Sequence, residues 1–151
     1  MPTSLAQVKE LHRVFNVPIH DDPHISDEKI NQLRIALLQE ELNELKDALG
    51  VPKNWWERVK HFFGFHKQRS KIEAFDALTD IQYVLDGAYV SLGYWRWKRK
   101  GIAEVQRANM SKLGEDGKPI MRADGKFLKG PNYAPPNLVP ILLGAPDDTA
   151  Q

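Results

Sequence analysis

The stretch LLQEELNELKDAL, residues 37–49, sets glutamates among leucines in a pattern that a helix gathers onto one side. Advancing about 100° per residue from Ile30, the leucines of this segment spread over one broad arc, which is typical of a core-facing helix. Glu41 and Glu44 fall inside that arc, and Glu40 lies just off its edge. A buried carboxylate is destabilising unless it is paired or bound to a metal ion, so these glutamates need a compensating partner.

A second acidic row occurs in KIEAFDALTDIQYVLDGAYVSLG, which predicts a central helix because apolar residues occur nearly all round it. Glu73, Asp76 and Asp80 are spaced i, i+3 and i+7, which places them within about 60° of one another on a helix. Tyr83 and Gly87 continue this stripe, and Gly87 would allow a backbone or a ligand to approach closely. If the two rows face each other, their carboxylates converge.

Converging carboxylates repel one another in a low dielectric, and hard divalent cations are the simplest compensation. Mg²⁺, with Mn²⁺ as an alternative ion, prefers oxygen ligands and commonly also binds substrate phosphates. The ordinary alternative is that the acids lie on solvated helix faces beside lysines, but their place inside the leucine arc disfavours it. A di-iron bundle would need Glu-x-x-His pairs, and the sequence has none.

The rest of the chain predicts an all-α fold with an ordered C-terminal arm. Helices are predicted at about residues 3–15, 26–49 with Ser26 as N-cap, 70–92, and from Tyr94 or Gly101 to Leu113. A small β-hairpin is predicted to turn at Asp124-Gly125, and the proline-rich PNYAPPNLVP is predicted to lie extended. We therefore predict a single domain over 1–151, a four-helix bundle at about 3–113 followed by an arm at about 114–144.

Composition narrows the classes of protein that need considering. The chain has 151 residues, a formal net charge of +1 and no cysteine, so neither a bulk polyanion partner nor a disulfide framework is indicated. No apolar run reaches the roughly 18 residues of a membrane span, and the N-terminus lacks the layout of a signal peptide. A soluble, cytoplasmic protein without a stable nucleic-acid or membrane partner is expected.

Glu40-Glu41-Leu42-Asn43-Glu44, followed by Glu73-Ala74-Phe75-Asp76, resembles the EExxE…ExxD signature of the all-α nucleoside triphosphate pyrophosphohydrolases. This superfamily contains MazG, dimeric dUTPases and phosphoribosyl-ATP pyrophosphohydrolase. The continuations DALTDIQYVLDGAYVSLG and EVQRANMSKLGEDGKPIMRADGKFLKGPNYAPPNL are similar to a MazG-like subgroup found in bacteria and phages, so the resemblance covers most of the chain. It implies a homodimer or homotetramer that cleaves the α–β phosphoanhydride of a nucleoside triphosphate with Mg²⁺.

The resemblance also implies roles for the acidic residues. Glu41, Glu44, Glu73 and Asp76 would bind metal, and Glu40 would either bind metal or orient the attacking water. Glu40 and Glu41 are thus the catalytic candidates. Asp80 extends the row toward metal, sugar or base.

Further substrate-binding candidates lie beyond the acidic rows, and the family resemblance supports them. Asn109 and Lys112 share a helix face, where they could contact a base, a sugar or phosphate, although without the resemblance a surface lysine is about twice as often plain solvated charge. Lys126 and Lys129 either close over the triphosphate or keep an exposed hairpin soluble. Tyr133 either stacks on a base or anchors the arm, and Tyr83 completes the substrate-binding set.

Three alternatives stay open at this point. The enzyme could be specific for phosphoribosyl-ATP or for dUTP, or the chain could be a non-enzymatic helical protein that oligomerises or binds a partner. The basic aromatic segment 53–71 could contact a membrane or nucleic acid, but a subunit contact or a pocket lid is favoured because an oligomer buries aromatic residues.

Overall fold

In the computed structural model, the structure is described for residues 1–25, 27–63 and 69–147, apart from the side chain of His61. Within these residues the regular structure is helical, and no strand is formed. The helices are α1 Ser4–Val14, α2 Glu28–Ala48, α3 Trp55–Phe62, α4 Lys71–Ser91, α5 Lys98–Met110 and α6 Val139–Leu143, with a 3-10 turn at Trp95–Trp97. The all-α prediction is confirmed. None of these helices combines the length and apolarity needed to cross a bilayer.

Side-chain caps fix where the main helices begin. The hydroxyl of Thr3 accepts a backbone N–H of α1, and the hydroxyl of Ser70 accepts one of α4. Asp27 caps α2 by accepting two backbone N–H groups, so the prediction of Ser26 as the cap is wrong by one residue, and Ser26 itself lies outside the described residues. Gly93, with φ of 75°, follows the end of α4, where a left-handed residue was expected.

The chain divides into two compact units, Met1–Trp95 and Arg96–Ala150, the second described as far as Asp147. In the first unit α4 packs against both α2 and α1. Val8 and Val90 are among its most buried apolar side chains, with Ala48, Ala77 and Ala88. Small residues on α2 and α4 allow these two helices to approach closely, which determines how the acidic rows meet.

A buried polar network occupies the first unit beside this apolar core. Ser4 Oγ donates to Asp86 Oδ2 over 2.6 Å, and Arg34 Nη2 donates to Ser91 Oγ over 2.7 Å. His12 Nδ1 lies 3.1 Å from a carbonyl oxygen, which can only accept, so Nδ1 carries the proton and Nε2 accepts from Arg34 over 3.4 Å. Burial, and secondarily the charge of Arg34, lowers the pKa of His12, which is therefore neutral.

Gly87 was expected to admit a backbone or a ligand, and in the structure it accommodates side chains of the polar network. A Cβ at Gly87 would lie 3.0 Å from Arg34 Nη1 and 3.5 Å from His12 Nε2. The missing side chain therefore makes room for the buried guanidinium between α2 and α4.

The second unit contains α5, the arm and α6. Its C-terminal residues return to its own beginning: Trp97 Nε1 donates to Gly144 O over 3.2 Å, and the buried Asp147 pairs with Arg99. In the arm, Gly130 N–H donates to Lys112 O over 2.9 Å. α5 begins at Lys98, between the two starts that the sequence suggested.

Two predictions for the arm are wrong. The β-hairpin at Asp124-Gly125 is a turn with one isolated bridge, between Met121 and Phe127, rather than a pair of strands. Both bridging side chains are more than half exposed, so nothing buries the ribbon, and an isolated two-stranded ribbon is marginal in water. The end of the proline-rich stretch was predicted to be extended but begins α6, because Pro140 lies in the first turn, where its missing N–H is harmless.

The basic aromatic segment 53–71 contains α3. Its aromatic side chains point to solvent at Trp55, Trp56, Phe62 and Phe63, and Glu57 Oε2 accepts the N–H of Lys53 over 2.6 Å. Residues 64–68 of the segment lie outside the described residues, and its role as a subunit contact or lid stays a prediction.

Candidate active site

Glu41 differs from the other acids of the described chain in its surroundings. It lies on the side of α2 that faces α4, where it is half-buried, and its Oε2 is shielded from solvent without a hydrogen-bond partner. Buried carboxylate oxygens normally accept hydrogen bonds, so an unpartnered one marks a place where a missing group would bind. The sequence pattern predicted this position from the leucines on either side of it.

The electrostatics of Glu41 identify which acids surround it. Burial raises the pKa of Glu41, and the negative charges of Glu44, Asp80, Glu40 and Asp76 raise it further, in that order. Two of these groups are on α2 and two on α4, so the acidic rows do face each other. The cluster formed by these five residues, Glu40, Glu41, Glu44, Asp76 and Asp80, is called the acidic cluster below.

Most of the acidic cluster is open to solvent. Glu40, Glu44 and Asp76 are exposed, and Asp80 is half-buried like Glu41. Burial of Glu44 among leucines was expected but is not observed, and Leu33 and Leu42, at the two edges of the leucine arc, are themselves 52% and 41% exposed. The leucine arc is therefore only partly core, and the cluster is accessible to a dissolved ligand.

Glu73 and Tyr83 lie at the two ends of the acidic stripe on α4. Glu73 is exposed in the first helical turn, where its backbone N–H is capped by Ser70, and it is not among the charges that act on Glu41. Tyr83 is half-buried. The structure therefore gathers four of the other five predicted acids around Glu41 and leaves Glu73 at the periphery.

The donor set of the acidic cluster consists of carboxylate oxygens, which fits a hard divalent cation. Among the described residues, no three acidic or histidine side chains already stand in the arrangement of a metal cage. Unneutralised carboxylates repel one another, and a bound cation would remove this repulsion. The unpartnered Oε2 of Glu41 is the group that a bound cation would satisfy.

The candidates in the second unit fall into two groups. Lys112 Nζ donates to Asn109 Oδ1 over 2.8 Å, and both residues line a cavity of about 400 Å³ together with Phe127 and Leu128. This pairing leaves the amide N–H groups of Asn109 available to a ligand.

The three remaining candidates of the arm do not line that cavity. Lys129 Nζ lies 4.5 Å from the centre of the Tyr133 ring, a cation–π contact within the arm. Lys126 is exposed, and its backbone N–H donates a hydrogen bond to Asp124 Oδ1. Tyr133 thus contacts its own arm.

Sequence reasoning missed Arg34, the buried cation of the polar network. Its signal was present, because Arg34 precedes Glu41 by two helical turns and falls within about 20° of it around α2. Like the glutamates, a charged residue inside the leucine arc indicates a buried polar group that needs a compensating partner.

Comparison with known proteins agrees with the acidic helices. A model of the phosphoribosyl-ATP pyrophosphohydrolase family matches residues 8–109, which include every residue of the acidic cluster. The chain belongs to this family. It is therefore a pyrophosphohydrolase, a hydrolase that acts on an acid anhydride bond, and the resemblance drawn from EExxE…ExxD is confirmed. Pyrophosphohydrolases of this family generally use a divalent metal ion.

Among solved structures, one similar chain comes from Exiguobacterium sp. 255-15 and is provisionally described as an NTP pyrophosphohydrolase. It is 27% identical to this chain, the alignment covers 89% of each chain, and the TM-score is 0.35. A search of curated proteins found no match.

Proposed function

We propose that this protein is a Mg²⁺-dependent nucleoside triphosphate pyrophosphohydrolase. It cleaves the α–β phosphoanhydride of (d)NTPs to a nucleoside monophosphate and pyrophosphate, in house-cleaning or in control of a nucleotide pool. The observation that carries the proposal is the sheltered, unpartnered Oε2 of Glu41 among four other carboxylates. A structural surface helix gains nothing from this arrangement, whereas a metal-dependent hydrolase needs it.

Each acid has a proposed role. Glu41, Glu44 and Asp76 hold the metal, and Glu73, at the start of α4, joins them by a change of side-chain rotamer. Glu40 is exposed beside them and either completes the ligand set or orients the attacking water. Once bound, Mg²⁺ supplies neutralising charge to the carboxylates and polarises the phosphate oxygens. Glu41 is, with Glu40, a proposed catalytic carboxylate, and its burial together with the surrounding like charges raises its pKa.

Substrate contacts are proposed at both units. On α4, the half-buried Asp80 and Tyr83 border the acidic cluster and would meet the sugar or base. In the second unit, Asn109 and Lys112 line their cavity together and offer N–H donors to an acceptor-bearing ligand. Lys126, Lys129 and Tyr133 are retained as proposed contacts, of which the lysines would meet phosphate.

A homodimer or homotetramer is proposed from the apolar surface of the first unit. Ile72, Phe75 and Leu78 on α4 are 83%, 74% and 55% exposed, which is unusual for one helix of a monomer. A second copy that covers these residues would bury them, as expected of a homodimer or homotetramer. The family match crosses the division between the two compact units, which supports a single functional domain over 1–151.

The experiment incubates the protein with each (d)NTP and Mg²⁺ and measures pyrophosphate and orthophosphate separately. Monophosphate and pyrophosphate are expected from the unmodified protein, with strong loss in Glu41→Ala and Glu44→Ala. Glu10→Gln, an exposed acid on α1 without a role, is the matched control and should retain activity. Release of orthophosphate alone, or full activity in Glu41→Ala, would contradict the proposed mechanism.

Two narrower substrates remain candidates, phosphoribosyl-ATP and dUTP. The description of the matching family favours the first. Comparison of kcat/KM across phosphoribosyl-ATP, dUTP and the common (d)NTPs decides between a broad and a specific enzyme. The non-enzymatic alternative is set aside because the family consists of hydrolases.

A further inference from the structure

A separate cavity in the first unit is lined by residues of α2 and α4 and by no residue of the acidic cluster. Its volume is about 400 Å³, and its walls include Ile35 and Leu38 of α2 and Leu85 and Leu92 of α4. Around their helices these residues are roughly 60–140° from Glu41 and Asp80. Arg34, the wall residue that falls within about 20° of Glu41, precedes it by two helical turns, so the cavity is displaced along the helices from the acidic cluster, and the proposed reaction does not use it.

The only charged residue in the wall of this cavity, within the described part of the chain, is Arg34. Its side chain is 8% exposed, and its hydrogen bonds go to two neutral acceptors, Ser91 Oγ and His12 Nε2. Its Nε is buried without any partner, and no carboxylate of the described residues forms an ion pair with it. Arg34 is thus a buried cation that lacks a counter-ion.

A buried guanidinium stays protonated, so it cannot escape the cost of burial by losing its charge. Charges removed from water are tolerated when an opposite charge and hydrogen bonds compensate them, and Arg34 has only the hydrogen bonds. An anion at the Arg34 end of the cavity would supply the missing charge and, after a small shift of the guanidinium, an acceptor for Nε. The leucine and isoleucine walls would meanwhile favour a ligand with an apolar body.

We propose that this cavity binds a small amphipathic carboxylate, with Arg34 contacting the carboxylate and the leucine-lined walls contacting an apolar or aromatic body. A volume of about 400 Å³ lies within the roughly 300–1,000 Å³ of small-molecule sites. Tyr94 and Asn31, which also line the cavity, add an aromatic surface and an amide. The site is independent of the proposed nucleotide chemistry, because it contains none of the acidic cluster.

The test uses three probes that share one ring and differ in charge: benzoate, benzyl alcohol and benzylammonium. Binding to the full chain is measured by calorimetry and thermal shift without metal or nucleotide, so the result does not depend on the proposed activity. Benzoate should bind at least about tenfold more tightly than benzyl alcohol, because a charge-assisted bond to a guanidinium is roughly twice as strong as a neutral one. Benzylammonium should not bind measurably.

Two variants locate the site. Leu85→Trp places a larger side chain at the partly exposed rim of the cavity and should abolish benzoate binding while the circular dichroism spectrum is unchanged. Leu11→Trp, at a leucine of α1 that is about as exposed as Leu85 and lies outside the cavity, is the matched control and should bind normally. Arg34→Gln should remove the preference for benzoate over benzyl alcohol, and the Leu85→Trp comparison stands by itself if Arg34→Gln does not fold.

Several outcomes overturn the proposal. One is the absence of benzoate binding, and another is equal binding of all three probes, which would mean that only apolar surface is recognised. Undiminished benzoate binding in Leu85→Trp would place the ligand elsewhere. Loss of benzoate binding at protein concentrations where light scattering shows self-association would mean that a second copy covers the cavity instead.

Discussion

Replacing Glu41 by glutamine should make the metal-free protein more stable and the enzyme inactive. Glu41 is half-buried, its Oε2 has no partner, and four carboxylates act on it. Glutamine has nearly the same shape but no charge, so the substitution removes repulsion and the burial of a charge without opening a cavity. Functional groups that are held in unfavourable surroundings typically show this opposition between stability and activity.

The size of the effect follows from the neighbours of Glu41. Like-charge pairs on exposed helix surfaces cost about 0.2–0.5 kcal/mol each, so four carboxylates around Glu41 destabilise it by roughly 1–2 kcal/mol. The amide of glutamine gains no partner, so we expect the free energy of unfolding to rise by about 1 kcal/mol. For a chain of this length, Tm would then rise by about 2–4 °C. Activity should fall at least about 100-fold, because the substitution removes a proposed metal ligand and catalytic carboxylate.

The pH dependence of this difference provides a sharper test. The pKa of Glu41 is raised in the folded state, so folding favours its protonated form, and the ionised carboxylate destabilises the protein above that pKa. Glu41→Gln should therefore stabilise most at neutral pH, and its advantage should disappear below the ordinary pKa of 4.5.

Urea unfolding between pH 4 and 8, monitored by circular dichroism, measures this difference in the free energy of unfolding. It compares the wild type with Glu41→Gln and with the Glu10→Gln control. Addition of Mg²⁺ should raise the Tm of the wild type and of Glu10→Gln, and much less that of Glu41→Gln. If Glu41→Gln lowers the stability of the metal-free protein, or if its effect does not change with pH, then the ionised Glu41 does not destabilise the fold and the reasoning is refuted.

Three further predictions concern the rest of the molecule. Gly130→Ala should destabilise the protein by about 1–3 kcal/mol, because its Cβ would lie 2.1 Å from a backbone carbonyl oxygen. Gly101→Ala in α5 should stabilise the protein by about 0.5–1 kcal/mol, because open space surrounds it, and urea unfolding measures both effects. Burial lowers the pKa of His12 in the folded protein, so the stability present above its unfolded pKa of 6.5 should be lost as pH falls through the folded pKa. His12→Gln should reduce this loss of stability at acidic pH, as measured by Tm. Glu104→Gln should accelerate hydrogen exchange at the N–H of Asn137, which Glu104 accepts over 2.8 Å, and unchanged exchange would show that this contact does not order the arm.

Much of the site was readable from the sequence because its signals are local. The 3.6-residue period places Glu41 among leucines and gathers Asp76 and Asp80 onto one stripe, and neither inference needs a neighbour from elsewhere in the chain. The helix ends were also predicted to within a few residues, because capping residues act on backbone groups one turn away. The prediction of a β-hairpin was wrong because the stability of a hairpin is not local: it depends on a surface to pack against, and the arm offers none.

By itself, the sequence determined that the chain is helical, that two of its helices carry acidic rows, and that those rows resemble a pyrophosphohydrolase signature. Only the tertiary structure decided which carboxylate loses its water, Glu41 rather than Glu44, and which cation is enclosed without a counter-ion, Arg34. The physical reason is that the desolvation of a side chain, and part of the electric field at it, are set by groups from other helices. A helical period fixes the direction in which a residue points, and the packing of α1, α2 and α4 decides what it meets there.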